Sequence, residues 1–191
     1  MKQLILASES ARRKQLLEKM GIPYKVVPSN VEERLNARLK PKAQAIALSR
    51  QKAEAVAAKY KNAIVLAADT FVVLNDKIIG KPISEIDAKR MLRKLSGKPH
   101  NVITGFTIVD SATKKSVSNA VETTVYMKKI SEKEMDSYIK TGEPMDKAGA
   151  YAVQERGALF VKRIDGDFFN VVGLPIFAVS QALRKFGIYF L

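Results

Sequence analysis

The 191-residue sequence predicts an α/β fold, a mixed β-sheet with flanking helices. Three observations carry that prediction. Ala63–Ala68 is an unbroken apolar run, the mark of a strand buried on both faces. Residues 71–80, with Asn75-Asp76 between two apolar stretches, have the pattern of an antiparallel hairpin. Helical segments with capping signals are interspersed among the strands, in an alternation too irregular for a barrel. No repeat, low-complexity tract or Pro/Gly/Ser linker divides the chain, so residues 1–191 are taken as a single domain.

Residues 3–7 form the first predicted strand and residues 11–20 a helix closed by Gly21. Tyr24 to Pro28 reads as a second short strand. After a polar connection containing Glu32, Glu33 and Arg34, Pro41 opens an alanine-rich helix to about Lys59. Ser84 and Asp87 resemble a capping box for a helix to Leu95, ended by Gly97. Residues 100–128 contain two strand-like stretches joined by a polar turn around Lys114. Ser131 with Glu134 caps a further helix that stops at Gly142. Residues 158–164 and 169–172 are expected as strands, and Pro175 opens a last helix.

Composition restricts the function classes. A hydrophobic content of 47% excludes a disordered chain. There are no cysteines, which removes disulfides and thiolate metal sites. A single histidine, His100, excludes a His-based zinc site and is read as structural. No apolar stretch reaches membrane-span length, and the opening apolar run is too short for a secretory leader, so a cytoplasmic protein is expected. The net charge of +14 favours anionic partners, nucleotides and nucleic acids alike. A basic nucleic-acid-binding or cell-division regulatory protein without catalysis is the competing class. The lack of tryptophan and the few aromatics in basic segments argue against nucleic acid as the partner.

The candidate site residues begin with LILASESARR, residues 4–13. A strand running into a helix N-terminus leaves free N–H groups and a positive dipole end at one spot. Ser8, Ser10, Arg12 and Arg13 add hydroxyls and guanidinium forks there, suiting a phosphorylated anion. Arg13, Leu17 and Met20 share helical spacing, which turns Arg13 inward. Asp69 ends the apolar run and is followed by Thr70, a polar pair between two apolar strands. Lys52 interrupts the apolar helical stripe of Ala45, Leu48 and Val56, as a point charge reaching a cleft would. Lys81 follows the hairpin and invites the same reading. Glu33 and Asp69 together could supply the carboxylates of a Mg²⁺ site. No GxGxxG, Walker loop or GxSxG elbow is present.

These residues, with AlaAlaAspThr at 67–70, GlyLysPro at 80–82, TGEPMDKAGAY at 141–151 and NVVGLP at 170–175, resemble the Maf family of nucleoside triphosphate pyrophosphatases nearly end to end. The resemblance implies an elongated α/β fold, a mixed β-sheet with flanking helices and two lobes around a central cleft, usually dimeric. It also implies hydrolysis between the α and β phosphates with a divalent cation, Mg²⁺ or Mn²⁺. By position, Asp69 resembles the family's catalytic acidic residue, and Arg13, Lys52 and Lys81 its phosphate-handling residues. Arg12, Thr70 and Gln154 resemble the base-selecting positions of the branch acting on dTTP and UTP rather than on 7-methyl-GTP. The chain departs from the family pattern at Ala11, where proline is common, and at Ala152 and Glu155, where glycine is common.

Overall fold

The structure, a computed structural model, describes residues 2–189. Its sheet has seven strands. β1 (Gln3–Leu6), β2 (Tyr24–Val26) and β3 (Ala63–Leu74) are parallel, with β1 in the middle. β4 (Lys77–Ile79) folds back antiparallel on the end of β3, through the Asn75-Asp76 turn where both residues take positive φ. On the other edge of β3, β5 (Pro99–Asp110), β6 (Ser116–Met127) and β7 (Val161–Asp165) extend the sheet antiparallel. Lys2 ties the start of β1 to Asp110 at the end of β5, with Nζ 2.5 Å from Oδ2.

α1 (Ala11–Lys19) joins β1 to β2, and α2 (Pro41–Ala57), with Pro41 at its first position, joins β2 to β3. α3 (Glu85–Leu95) is capped by Ser84, whose Oγ accepts the Asp87 N–H at 3.1 Å. α4 (Glu132–Ile139) carries a full Ser131/Glu134 capping box. It is followed by two 3₁₀ turns, Glu143–Asp146 and Ala148–Ala150. α5 (Phe168–Val172) and α6 (Ile176–Arg184) are the last helices among the described residues.

Side chains alternate across the sheet, and this sets the packing. Ala67, Phe71 and Ile103 lie on the face covered by α2. At Gly105 the helix approaches so closely that a Cβ would lie 2.3 Å from the Ala45 carbonyl carbon. The opposite face carries two separate apolar clusters. One, around Leu6, Leu66, Phe106 and Leu174, buries α1 and α6. The other, around Val72, Leu92, Val125 and Phe160, buries α3 and α4.

The structure departs from the sequence expectation in three places. The strand predicted to end at Ala68 continues to Leu74, so Asp69 and Thr70 lie in mid-strand rather than beyond a strand end. Residues 169–172, expected as a strand, form α5, because the Asp167 carboxylate accepts the N–H groups of Phe169 and Asn170 and caps a helical turn. Residues 158–160 belong to a 3₁₀ turn, Arg156–Phe160, which leaves only Val161–Asp165 in strand.

Candidate active site

The site arises from an interruption in the sheet. On one edge of β3, β1 pairs only as far as Leu66, with a last bond from the Ala7 N–H to the Leu66 carbonyl. β4 resumes pairing on that edge at Val72. Ala67 to Phe71 therefore have a strand partner, β5, on one side only. A cleft of about 1010 Å³ includes this gap, bordered by Val102 and Tyr151 of one apolar cluster and Val172 of the other.

Asp69 and Thr70 are successive residues of a strand, so they address opposite faces. Asp69 meets α2, where the stem of Lys52 crosses the apolar stripe and brings its Nζ 2.5 Å from Asp69 Oδ1. The same ammonium lies 2.7 Å from Glu33 Oε1, on the loop before α2. Lys52 and Asp69 are both nearly closed to solvent, with side chains 8% and 10% exposed. Asp69 Oδ2 is buried and has no hydrogen-bond partner among the described residues.

Thr70 meets the guanidinium of Arg13 across the sheet. Arg13 Nη2 donates to Thr70 Oγ1 at 3.0 Å, Nη1 to Ser8 Oγ at 3.2 Å, and Nε to the Gly173 carbonyl at 2.8 Å. Burial pulls the Arg13 pKa below its ordinary value, Asp69 works against that shift, and Arg12 adds to it. Ser10 occupies the N-cap position of α1 but makes no side-chain cap bond; its own N–H donates to Ser8 Oγ at 3.3 Å. Among the described residues the Ser10 hydroxyl and the first-turn N–H groups of α1 thus remain uncommitted.

Arg12, Lys81 and Gln154 also line the cleft, the last two exposed at its border. All the candidate site residues read from the sequence border this one cavity. The sequence did not single out Lys147, which lines it too with a side chain only 9% exposed, bonded to Asp146 and 4.0 Å from Glu155. The run TGEPMDKAGAY contained the signal: a lysine between an acid and small residues. The 3₁₀ turns around it give no periodicity from which to infer burial.

His100 lies outside the cleft, buried, with Nε2 2.7 Å from the Tyr151 hydroxyl. Burial pushes its imidazole down to about 4 and raises the Tyr151 phenol.

The charges in the cleft are mixed. Five basic side chains line it (Arg12, Arg13, Lys52, Lys81 and Lys147), and so do five acidic ones (Glu9, Glu33, Asp69, Asp146 and Glu155). Among the described residues no group of three or more His, Cys, Asp or Glu side chains gathers around a metal position. Glu33 and Asp69 nevertheless converge on one ammonium, and Asp69 Oδ2 has a free lone pair. That donor set suits a hard cation that takes one or two carboxylates and completes its shell with water and phosphate oxygens.

A family model for Maf-like proteins matches residues 3–186 of the chain. The chain belongs to the Maf-like family. This Maf-like chain is 49% identical over 186 residues to the dTTP/UTP pyrophosphatase of Alkaliphilus oremlandii, which covers 97% of this chain and 96% of the relative. It is 46% identical to the dTTP/UTP pyrophosphatase of Bacillus velezensis, with 98% of each chain covered. The enzyme of that name from Methanosarcina barkeri is also 46% identical, over 98% of this chain and 96% of its own. Among solved structures, the Staphylococcus aureus Ham1 protein superposes with a TM-score of 0.53 at 13% identity, covering 98% of this chain and all of that one. At that identity the Ham1 match establishes the fold of the Maf-like chain and nothing further.

Proposed function

We propose that this Maf-like protein hydrolyses dTTP and UTP to the monophosphate and pyrophosphate, with Mg²⁺ or Mn²⁺ as cofactor. The observation that carries the reading is the half-satisfied Asp69 carboxylate, held by a buried lysine at a break in the sheet, with its strand neighbour Thr70 engaging the half-buried Arg13 on the other face. The near full-length relatives named dTTP/UTP pyrophosphatase support the choice of substrate.

In this reading, water attacks the α-phosphorus, the α–β bridging bond breaks, and pyrophosphate leaves with the electron pair. Arg13, Lys52 and Lys81 hold the phosphate oxygens, and the N–H groups of the first turn of α1 add a fixed positive dipole. Lys52 keeps Asp69 Oδ1 engaged, which leaves Oδ2 to hold the cation or to orient and deprotonate the water. Asp69 and Glu33 are the residues that would hold the cation, which when bound offsets charge on the leaving pyrophosphate. The equal numbers of acidic and basic groups favour that requirement, since a bare triphosphate would meet no net positive charge in the cleft. Arg12, Thr70 and Gln154, which line the same cleft, are proposed to select the base. The protein is further proposed to be a cytoplasmic homodimer; among the described residues no helix is long and apolar enough to cross a membrane.

A nucleotide panel with Mg²⁺ and with Mn²⁺, with products separated chromatographically, tests the reading. The expected result is monophosphate plus pyrophosphate, fastest for dTTP and UTP. Diphosphate plus inorganic phosphate would overturn it, as would equal turnover of purine and pyrimidine triphosphates.

A further inference from the structure

The segment Asn170–Pro175 has no part in the reaction just described, yet it lies against the residue that handles phosphate. Asn170 is fully buried in α5. Its Nδ2 donates to the Val102 carbonyl and to Thr123 Oγ1, both at 2.9 Å, and its Oδ1 accepts the Thr104 N–H at 3.2 Å. Its backbone carbonyl accepts the Thr104 hydroxyl at 2.9 Å. Thr104 Oγ1 lies 3.0 Å from Thr70 Oγ1, and Thr70 Oγ1 accepts from Arg13 at 3.0 Å.

The direction of this chain is set from both ends. A guanidinium only donates and a carbonyl only accepts. The Thr104 proton is therefore committed to the Asn170 carbonyl, and the Thr70 proton to Thr104. Thr70 has no proton left for a ligand and can present only a lone pair to the cleft. The same short helix holds Arg13 a second time, because the Gly173 carbonyl just after α5 accepts Arg13 Nε at 2.8 Å. A side chain at Gly173, where φ is +123°, would bring a Cβ 3.4 Å from Thr70 Oγ1 and 3.8 Å from Arg13 Nε.

We propose that α5 acts as a bracket that fixes the guanidinium of Arg13, and that Thr104 and Asn170 are positioning residues for phosphate binding, acting through Thr70. The inference rests on the reading that Arg13 contacts the polyphosphate. Thr104 is fully buried and does not line the cleft, so its effect on a ligand must pass through this chain.

Binding of inorganic tripolyphosphate, measured by calorimetry on the full-length protein, reads the position of the clamp without requiring turnover. Thr104→Val keeps the volume and breaks the chain; Thr104→Ser restores the hydroxyl. The expected result is a roughly fivefold weaker tripolyphosphate affinity for Thr104→Val, the scale of one neutral hydrogen bond, and less than about a twofold change for Thr104→Ser. In the hydrolysis assay the Thr104→Val loss should fall on KM more than on kcat. If Thr104→Val does not fold, Thr104→Cys, with its weak donor, should give an intermediate loss of affinity. Folded variants that all bind tripolyphosphate within about twofold of the wild type would overturn the bracket while leaving hydrolysis intact. Wild-type protein that binds no tripolyphosphate would overturn it as well. Wild-type protein that binds tripolyphosphate in a Thr104-dependent way but cleaves no nucleotide would overturn the hydrolase and keep the bracket.

Discussion

The two oxygens of the Asp69 carboxylate differ: Oδ1 is locked to the Lys52 ammonium and Oδ2 is buried without a partner. Asp69→Asn preserves the shape and removes the charge, so kcat should fall by roughly a thousandfold or more while the thermal unfolding midpoint stays close to wild type. Lys52→Met has the opposite signature. It leaves an uncompensated carboxylate in a closed environment and should cost about 3 kcal/mol in urea denaturation. Adding Asp69→Asn to Lys52→Met should recover most of that loss, because the double variant buries no unpaired charge. His100 contributes a pH dependence of known sign. Its folded-state pKa of about 4 lies below the unfolded value of 6.5. Stability is therefore complete above pH 6.5 and falls as the unfolded chain takes up the proton. The loss should reach about 2 kcal/mol between roughly pH 7 and pH 5, and His100→Gln should flatten it.

At the scale of the elements, α2 is seated closely on β5 at Gly105, and the same helix carries Lys52 to the cleft. Gly105→Ala forces helix and strand apart, since the clashing atoms are backbone. It should destabilise the protein by at least about 2 kcal/mol and raise KM as Lys52 withdraws, measured by denaturation and steady-state kinetics on the same preparation. Those elements were legible in the sequence where local pattern decides. The strand-to-helix turn at Ser8–Ser10, the Pro41 helix start and the Ser84 and Ser131 caps are all short-range chemistry. The continuation of β3 through Asp69-Thr70 was not, because a polar pair normally ends an apolar run, and only the missing neighbour on one edge makes room for it. The run FNVV is too short for its periodicity to separate helix from strand, and Asp167 decides the matter by capping. For the site, Arg13 and Lys52 could be identified because each breaks or joins a helical face. Thr104 and Asn170 could not, because their partners are 66 residues apart in sequence.

For the whole molecule, a net charge of +14 surrounds a cleft whose own acidic and basic groups are equal in number. Long-range attraction then acts on the arrival of an anionic substrate rather than on its chemistry. Raising salt from about 0.05 to 0.5 M should increase KM for a triphosphate and leave kcat nearly unchanged. The sheet separates the molecule into two sides, and β3 is the strand whose consecutive residues serve each of them. One side supplies the ammonium and the other the guanidinium. Exchanging the neighbours, Asp69→Thr with Thr70→Asp, would produce a polypeptide of identical mass, isoelectric point and amino-acid content. The pleat alone would then direct the acid toward the arginine and the alcohol toward the lysine. Such an isomer should fold and fail to turn over, and its silence would measure how much of an enzyme resides in the order of two letters.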